Sequence, residues 1–243
     1  MAEVDFPEDS FQTIAASGGW WEADDSKELI RGQLVWAHVQ FYDEIPLQLL
    51  PTRADDAVHD SAILKAVPLR ANQRRTEHET LPVAALPRRD GADAFVVNRA
   101  KRRPCLILAG VQPTRVTDRD SRGQPNWTVA PFAIAAPYYS ADQDARAGYR
   151  PALVERIRHA RYRQFFYDRL PLGSTSESIL RFDQVFPVSH NAQSHERTGF
   201  RLSDKALALV DEWMDWFVTG DAPQGELAAF RELIAFMESQ ANG

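Results

Sequence analysis

The apolar runs of this chain are short. The longest, such as Cys105–Gly110 and Phe132–Pro137, hold six residues each, enough for a buried strand and far below the ~20 that a membrane-spanning helix requires. Charged, Pro, Gly and Asn residues separate them, so a core can form only by pairing several short strands and covering them with helices. Two C-terminal segments supply those helices. The first follows the cap residue Ser203 and carries Leu207, Val210, Met214 and Phe217 up to Gly220; the second spans roughly 225–239 with Leu227, Phe230, Ile234 and Met237 at helical spacing. Strands ahead of helices, with no βαβ alternation, point to a mainly β fold with added α: a small β-barrel elaborated by helices.

With 243 residues, the chain has room for one large or two small domains. Its 44% hydrophobic and 26% charged residues exclude a disordered or fibrous chain. The single cysteine, Cys105, excludes an internal disulfide framework and a Cys-based zinc knuckle. An acidic start, Met1-Ala-Glu-Val-Asp, has neither the positive nor the apolar stretch of a secretory leader, so a cytoplasmic protein is expected.

Residues 1–28 read as an acidic N-terminal tail anchored through Trp20 and Trp21, and 29–243 as a single domain. Within it, 31–42 is a strand opened by Gly32. Residues 43–98, rich in proline and charge pairs, form an insertion with a short helix near 54–66. Strands follow at 101–109 and 129–137. An inserted helix spans 151–169, opened by Pro151, with Leu153, Ile157, Ala160 and Gln164 on one stripe. A further strand covers 178–188, and the C-terminal helices occupy 203–239. Trp213 and Trp216 suit either the core or a dimer partner.

The net charge of −6 is unevenly spread: −7 over residues 1–28, +6 over 29–199 and −5 over 200–243. Arginine dominates the basic set, with 24 Arg against 4 Lys. Two explanations stand open. A basic middle flanked by acidic ends suits an anionic ligand such as nucleic acid, while arginine abundance follows equally from a GC-rich genome.

No Gly-rich phosphate loop, His-Glu-x-x-His or Gly-x-Ser-x-Gly elbow occurs, and the six histidines are scattered, so neither a cofactor nor a metal site is expected. Four segments, in order, carry a resemblance. Arg31-Gly-Gln-Leu-Val-Trp resembles the "R-G-[DE]-I-W" opening strand of the MazF/PemK (Kid) toxin family. Lys101-Arg-Arg-Pro-Cys-Leu-Ile-Leu resembles its "R-P-V-L-I-V" strand, Ala133-Ile-Ala-Ala-Pro-Tyr-Tyr-Ser its "V-V-P-V-T-S" strand, and Ile179-Leu-Arg-Phe-Asp-Gln-Val the "V-R-x-D-Q" strand of the PemK branch. The helix at 204–218 falls where that family has its C-terminal helix. About half of the chain is covered.

The resemblance implies an SH3-like small β-barrel, usually a homodimer, that cleaves single-stranded RNA without a metal and is held in check by a protein antitoxin. Two residues apart on a strand, Arg181 and Asp183 emerge on one face while Phe182 turns inward. Asp183 is then the candidate base for a ribose 2′-OH, and Arg181 the stabiliser of charge at phosphorus. A guanidinium with a pKa above ~12 suits charge stabilisation better than proton donation. Arg103, with Arg102 beside it, is a second phosphate clamp; Ser140 is a phosphate contact; Tyr138 and Tyr139 are candidates for base stacking. Plainer roles stand open: an exposed ion pair for Arg181–Asp183, a turn cap for Ser140, a neighbouring acid for Arg103, and a solvated face for Arg156, Arg158, Arg161 and Arg163.

The chain departs from the family pattern at two places. Tyr139 replaces a threonine, and the family histidine has no clear counterpart, with His59 and His78 both in the insertion. An alternative function is therefore a non-catalytic module that binds RNA or a protein, such as an antitoxin or a gyrase-type target. A third is a structural dimerisation protein.

Overall fold

The computed structural model of the chain describes residues 4–15, 19–41, 44–52, 55, 57, 61–69, 95–111, 132–141, 149–173 and 177–241. They divide into two compact units, one of residues 1–38 and 102–243, the other of residues 39–101.

The second unit holds a three-stranded antiparallel sheet. Its central strand β3 (Leu47–Thr52) pairs with β4 (Ile63–Pro68) and β5 (Phe95–Val97), once α1 (Phe11–Ala15), β1 (Trp21–Ala23) and β2 (Gln33–Gln40) are counted along the chain. The short helix expected near 54–66 is not what Ile63–Ala66 form. These residues lie in β4, where β-favouring Ile63 and Val67 pair with Thr52 and Gln48; the middle of the expected helix lies outside the described residues.

The first unit is built on an eight-stranded sheet completed by β6 (Ala100–Val111), β7 (Phe132–Ser140), β8 (Phe165–Arg169), β9 (Glu177–Arg181), β10 (Phe186–Ser189) and β11 (His195–Leu202). Its order is β1-β11-β2-β6-β7-β9-β8, with β10 also on β7. Among the described residues this is an open path from β1 to β8. The helices are α1, α2 (Pro151–Arg158), α3 (Asp204–Thr219) and α4 (Gly225–Ala241), so the fold is mainly β with added α. No helix among the described residues is long and apolar enough to cross a membrane.

Strand alternation sorts the sheet into two faces. Leu34, Leu106, Ala136, Tyr138, Phe166, Leu180 and Phe182 enter the main core with Trp213 of α3 and Leu227, Phe230 and Ile234 of α4. On the other face, Tyr167 and Ile179 pack with Val154 and Ile157 of α2. The stretch read as an acidic tail contributes directly to the main core. Trp20 stacks on Phe166 (5.9 Å), Trp21 Nε1 donates to the Arg169 carbonyl (2.9 Å), and Phe11 of α1 sits against Trp213 and Phe230. Trp213 is fully buried and donates to the Arg163 carbonyl at 3.0 Å, so its role is core packing.

Helix α3 has the expected ends: the Ser203 hydroxyl accepts from the Ala206 N–H, and Gly220 closes the helix with φ 76°. The helix expected over 151–169 stops at Arg158. Ala160 takes a left-handed φ of 52°, and Phe165–Arg169 instead form β8 along β9, with Phe166, Tyr167 and Asp168 buried from both sides. Pairing with β9 and burial on two faces outweigh the helical spacing of Leu153, Ile157, Ala160 and Gln164 beyond Arg158. Gly32 has φ +86° and passes its carbonyl to the Leu202 N–H and its own N–H to Ile107. That left-handed turn at the start of β2 joins three strands.

Candidate functional site

The segment expected as one strand over 178–188 is interrupted. β9 pairs with Tyr138–Ser140 of β7, a 3-10 turn takes Phe182–Gln184, and β10 then pairs with Phe132–Ala135 of the same strand. The register along β7 slips by three residues across the turn: Leu180 faces Tyr138, whereas Phe186 faces Ala135. The three inserted residues are the ones the site uses. Phe182 is fully buried, anchoring the turn in the core, while Asp183 and Gln184 stay at the surface. Arg181 and Asp183 therefore meet because the chain turns, and not because a strand alternates.

They meet in a two-pronged pair. Arg181 Nε donates to Asp183 Oδ1 at 2.7 Å, and Nη2 donates to Oδ2 at 2.5 Å. The side chains are 19% and 34% exposed, so the pair is open to solvent on one side. Arg181 also lies over the ring of Phe165, its cross-strand neighbour on β8, at 4.8 Å, and donates to the Tyr149 hydroxyl at 3.5 Å. The Asp183 carboxylate raises the pKa of the guanidinium, against the effect of burial.

Register places the other cation. Cys105 faces Pro137, and two residues further along these antiparallel strands Arg103 comes opposite Tyr139. The Arg103 guanidinium stacks 3.8 Å from the Tyr139 ring centroid, and Arg181 lies 5.6 Å from the same centroid. The Tyr139 hydroxyl donates to Gln184 Oε1, tying the ring to the turn. Burial pushes the Tyr139 pKa up, opposed by the two guanidiniums. Arg103 makes no ion pair with any described residue. The result is two cations and one carboxylate around an aromatic ring, all within the first unit.

The other expected site residues lie elsewhere. Tyr138 is a correction: adjacent strand residues face opposite ways, so it cannot join Tyr139 in stacking on bases. It is buried and donates to Asp168 Oδ2 at 2.8 Å. Arg102 likewise departs from Arg103; it stacks on Trp36 at 4.4 Å and bridges Glu196 at 2.6 Å. Ser140 is exposed opposite Ser178 at the end of β7, on the strand face of Tyr138 and not of Tyr139. His59 and His78 lie outside the described residues.

Three members of the cluster had no role assigned from sequence. Gln184 stands within the Arg181-x-Asp183-Gln184 motif. Phe165 was hidden by its assignment to a helix, and Tyr149 precedes that helix by two residues. No group of three His, Cys, Asp or Glu side chains among the described residues is arranged to hold a metal ion. Chemically, the cluster offers a site for one anion, with a carboxylate at hand to accept a proton. No family model, no curated protein and no solved structure matches the chain.

Proposed function

We propose that this protein is a toxin-type, metal-independent endoribonuclease with an SH3-like barrel, acting on single-stranded RNA through the Arg103–Arg181–Asp183 cluster. The observation that carries the reading is the convergence of two guanidiniums and one carboxylate on the Tyr139 ring from β6, β9 and the 3-10 turn. A phosphodiester is an anion whose non-bridging oxygens match two such forks. Asp183 takes the proton from the ribose 2′-OH, the 2′-oxygen bonds to phosphorus, and the bond from phosphorus to the 5′-oxygen breaks. That oxygen takes a proton from water, leaving a 2′,3′-cyclic phosphate and a 5′-hydroxyl. Arg103 and Arg181 neutralise the charge that grows at phosphorus. A homodimer, a cytoplasmic site of action and a protein antitoxin belong to the same proposal.

One observation favours a second reading, a binding module without chemistry. Both oxygens of Asp183 already accept from Arg181, so the carboxylate is committed to an ion pair and only its remaining lone pairs face a 2′-OH. The test incubates the purified protein with a long single-stranded RNA in EDTA, beside Arg181→Ala and Asp183→Asn. Cleavage to cyclic-phosphate ends, lowered by about 10²-fold or more in either variant, supports the nuclease. RNA retained on the protein but left intact supports a module that binds RNA, and neither cleavage nor retention removes both RNA readings and leaves a module that binds a protein.

A further inference from the structure

Arginine side chains are long and rotamer-rich, and holding two of them side by side at one anion has a cost in both entropy and repulsion. Something must hold them. In the Arg181 half of the site this is plain: Asp183 grips the guanidinium at two points, Tyr149 accepts a third N–H, and Phe165 lies beneath. Arg103 has none of these; its contact among the described residues is the face of Tyr139 at 3.8 Å. The same ring sits 5.6 Å from Arg181, so both guanidiniums share one ring as neighbour, with their carbons at most about 9.4 Å apart.

The ring is itself fixed. Its backbone is paired with Ile179 of β9, and its hydroxyl donates to Gln184. Gln184 belongs to the same 3-10 turn that carries Asp183. Tyr139 thus connects Arg103, which has no ion-pair partner among the described residues, with the paired Arg181 and the turn bearing the carboxylate.

We propose that Tyr139 is a positioning residue that holds Arg103 against Arg181 as a single phosphate clamp, acting through its ring and not by stacking on RNA bases. This rests on the phosphodiester reading above and adds to it which side chain sets the clamp's geometry. It also gives the tyrosine a purpose that a small hydroxyl residue at this position would not serve. A threonine offers no π face to a cation.

Two readouts separate the inference from the reading beneath it. The first is binding of a 5′-fluorescein-labelled mixed-sequence 20-nucleotide RNA, 2′-O-methylated throughout so that it cannot be cleaved, followed by anisotropy in EDTA at low salt, for wild type, Tyr139→Phe, Tyr139→Thr, Arg103→Ala and Arg103→Ala/Tyr139→Thr. Tyr139→Phe keeps the ring and stays within about twofold of wild type. Tyr139→Thr and Arg103→Ala each weaken binding about tenfold, the factor that ~1.4 kcal/mol represents, inside the cation–π range. The double variant is no weaker than Arg103→Ala alone. A product of the two single effects, near 100-fold, would show that Tyr139 touches the RNA itself and overturn the proposal.

The second readout needs no RNA. The Arg103 Nε–Hε resonance lies upfield under the ring current in wild type and Tyr139→Phe, and returns to its ordinary position in Tyr139→Thr. An Arg103 resonance that ignores the threonine substitution overturns the proposal. A shifted resonance with no RNA binding by wild type overturns the phosphodiester reading and leaves the stacked pair in place.

Discussion

Asp168 is fully buried on β8, and the hydrogen bonds that reach it come from neutral groups. The Tyr138 hydroxyl donates to Oδ2 and the Arg169 backbone N–H to Oδ1, each at 2.8 Å. Burial pushes its pKa up to about 7, with these donors opposing the shift. In an unfolded chain the same carboxyl titrates near ~3.9. Folding therefore favours the protonated form. Below pH ~4 both states hold the proton and the contribution to stability is complete. Between that point and pH 7 the unfolded chain releases its proton and the folded one keeps it, so stability falls as pH rises. At about 1.36 kcal/mol per pH unit, the loss approaches roughly 4 kcal/mol by pH 8.

Asp168→Asn removes the titration and keeps the shape. The amide oxygen accepts from the Arg169 N–H, and the amide N–H donates to the Tyr138 oxygen, whose own proton turns away. The advantage of the variant over wild type should grow by about 3 kcal/mol between pH 5 and pH 8. Urea unfolding followed by tryptophan fluorescence at four pH values measures this difference, and groups common to both proteins cancel. Parallel stability–pH curves for the two proteins would refute the reasoning, since they would mean that Asp168 is ionised in the folded protein at little cost.

Ser203→Ala removes the side-chain acceptor for the Ala206 N–H at the start of α3 and should lower the unfolding free energy by about 1 kcal/mol, with Ser203→Asp restoring it; urea midpoints decide. Cys105 is buried, and burial pushes its thiol up to about 12, so the native protein should leave a disulfide reagent unreacted at pH 8 and consume one equivalent once unfolded. A double-mutant cycle on Arg181 and Asp183 should return a coupling near or below about 1 kcal/mol, because both side chains keep contact with water. A much larger value would make the pair part of the fold and weaken its assignment to a site.

The C-terminal helices were legible because their signals are local: a serine cap, a glycine stop and an apolar stripe lie within one segment. The division of β9 from β10 was not. Nothing within Ile179–Val188 marks a break. It arises from a three-residue slip against β7, a strand some forty residues upstream, and that slip decides how Arg181 reaches Asp183. For residues 159–169 the stripe continued by Ala160 and Gln164 suggested a helix, but Phe165–Arg169 pair with β9 instead. The separation of Tyr138 from Tyr139, and of Arg102 from Arg103, was by contrast available from the sequence. Once each segment is a strand, neighbours must face opposite ways, and one of each pair is lost to the site.

The charge pattern of the chain has a similar resolution. The acidic ends are matched to the basic middle within the first unit: Asp9 bridges Arg158, Asp211 bridges Arg31, and Glu238 bridges Arg161. Arg102 and Arg169 are taken by Glu196 and Glu177. Such surface pairs add little to stability, but they remove cations from display. Arg103, by contrast, makes no ion pair with any described residue, and it stands where a second guanidinium and an aromatic ring are also present. RNA affinity should accordingly depend weakly on salt. Each phosphate neutralised on a single strand contributes a slope of about −0.7 to log K against log salt, so two or three contacts give a value near −2. A measured slope steeper than about −4 would mean that the arginine-rich middle binds RNA as an extended basic surface, and that its pairing with the acidic ends gives way when RNA arrives.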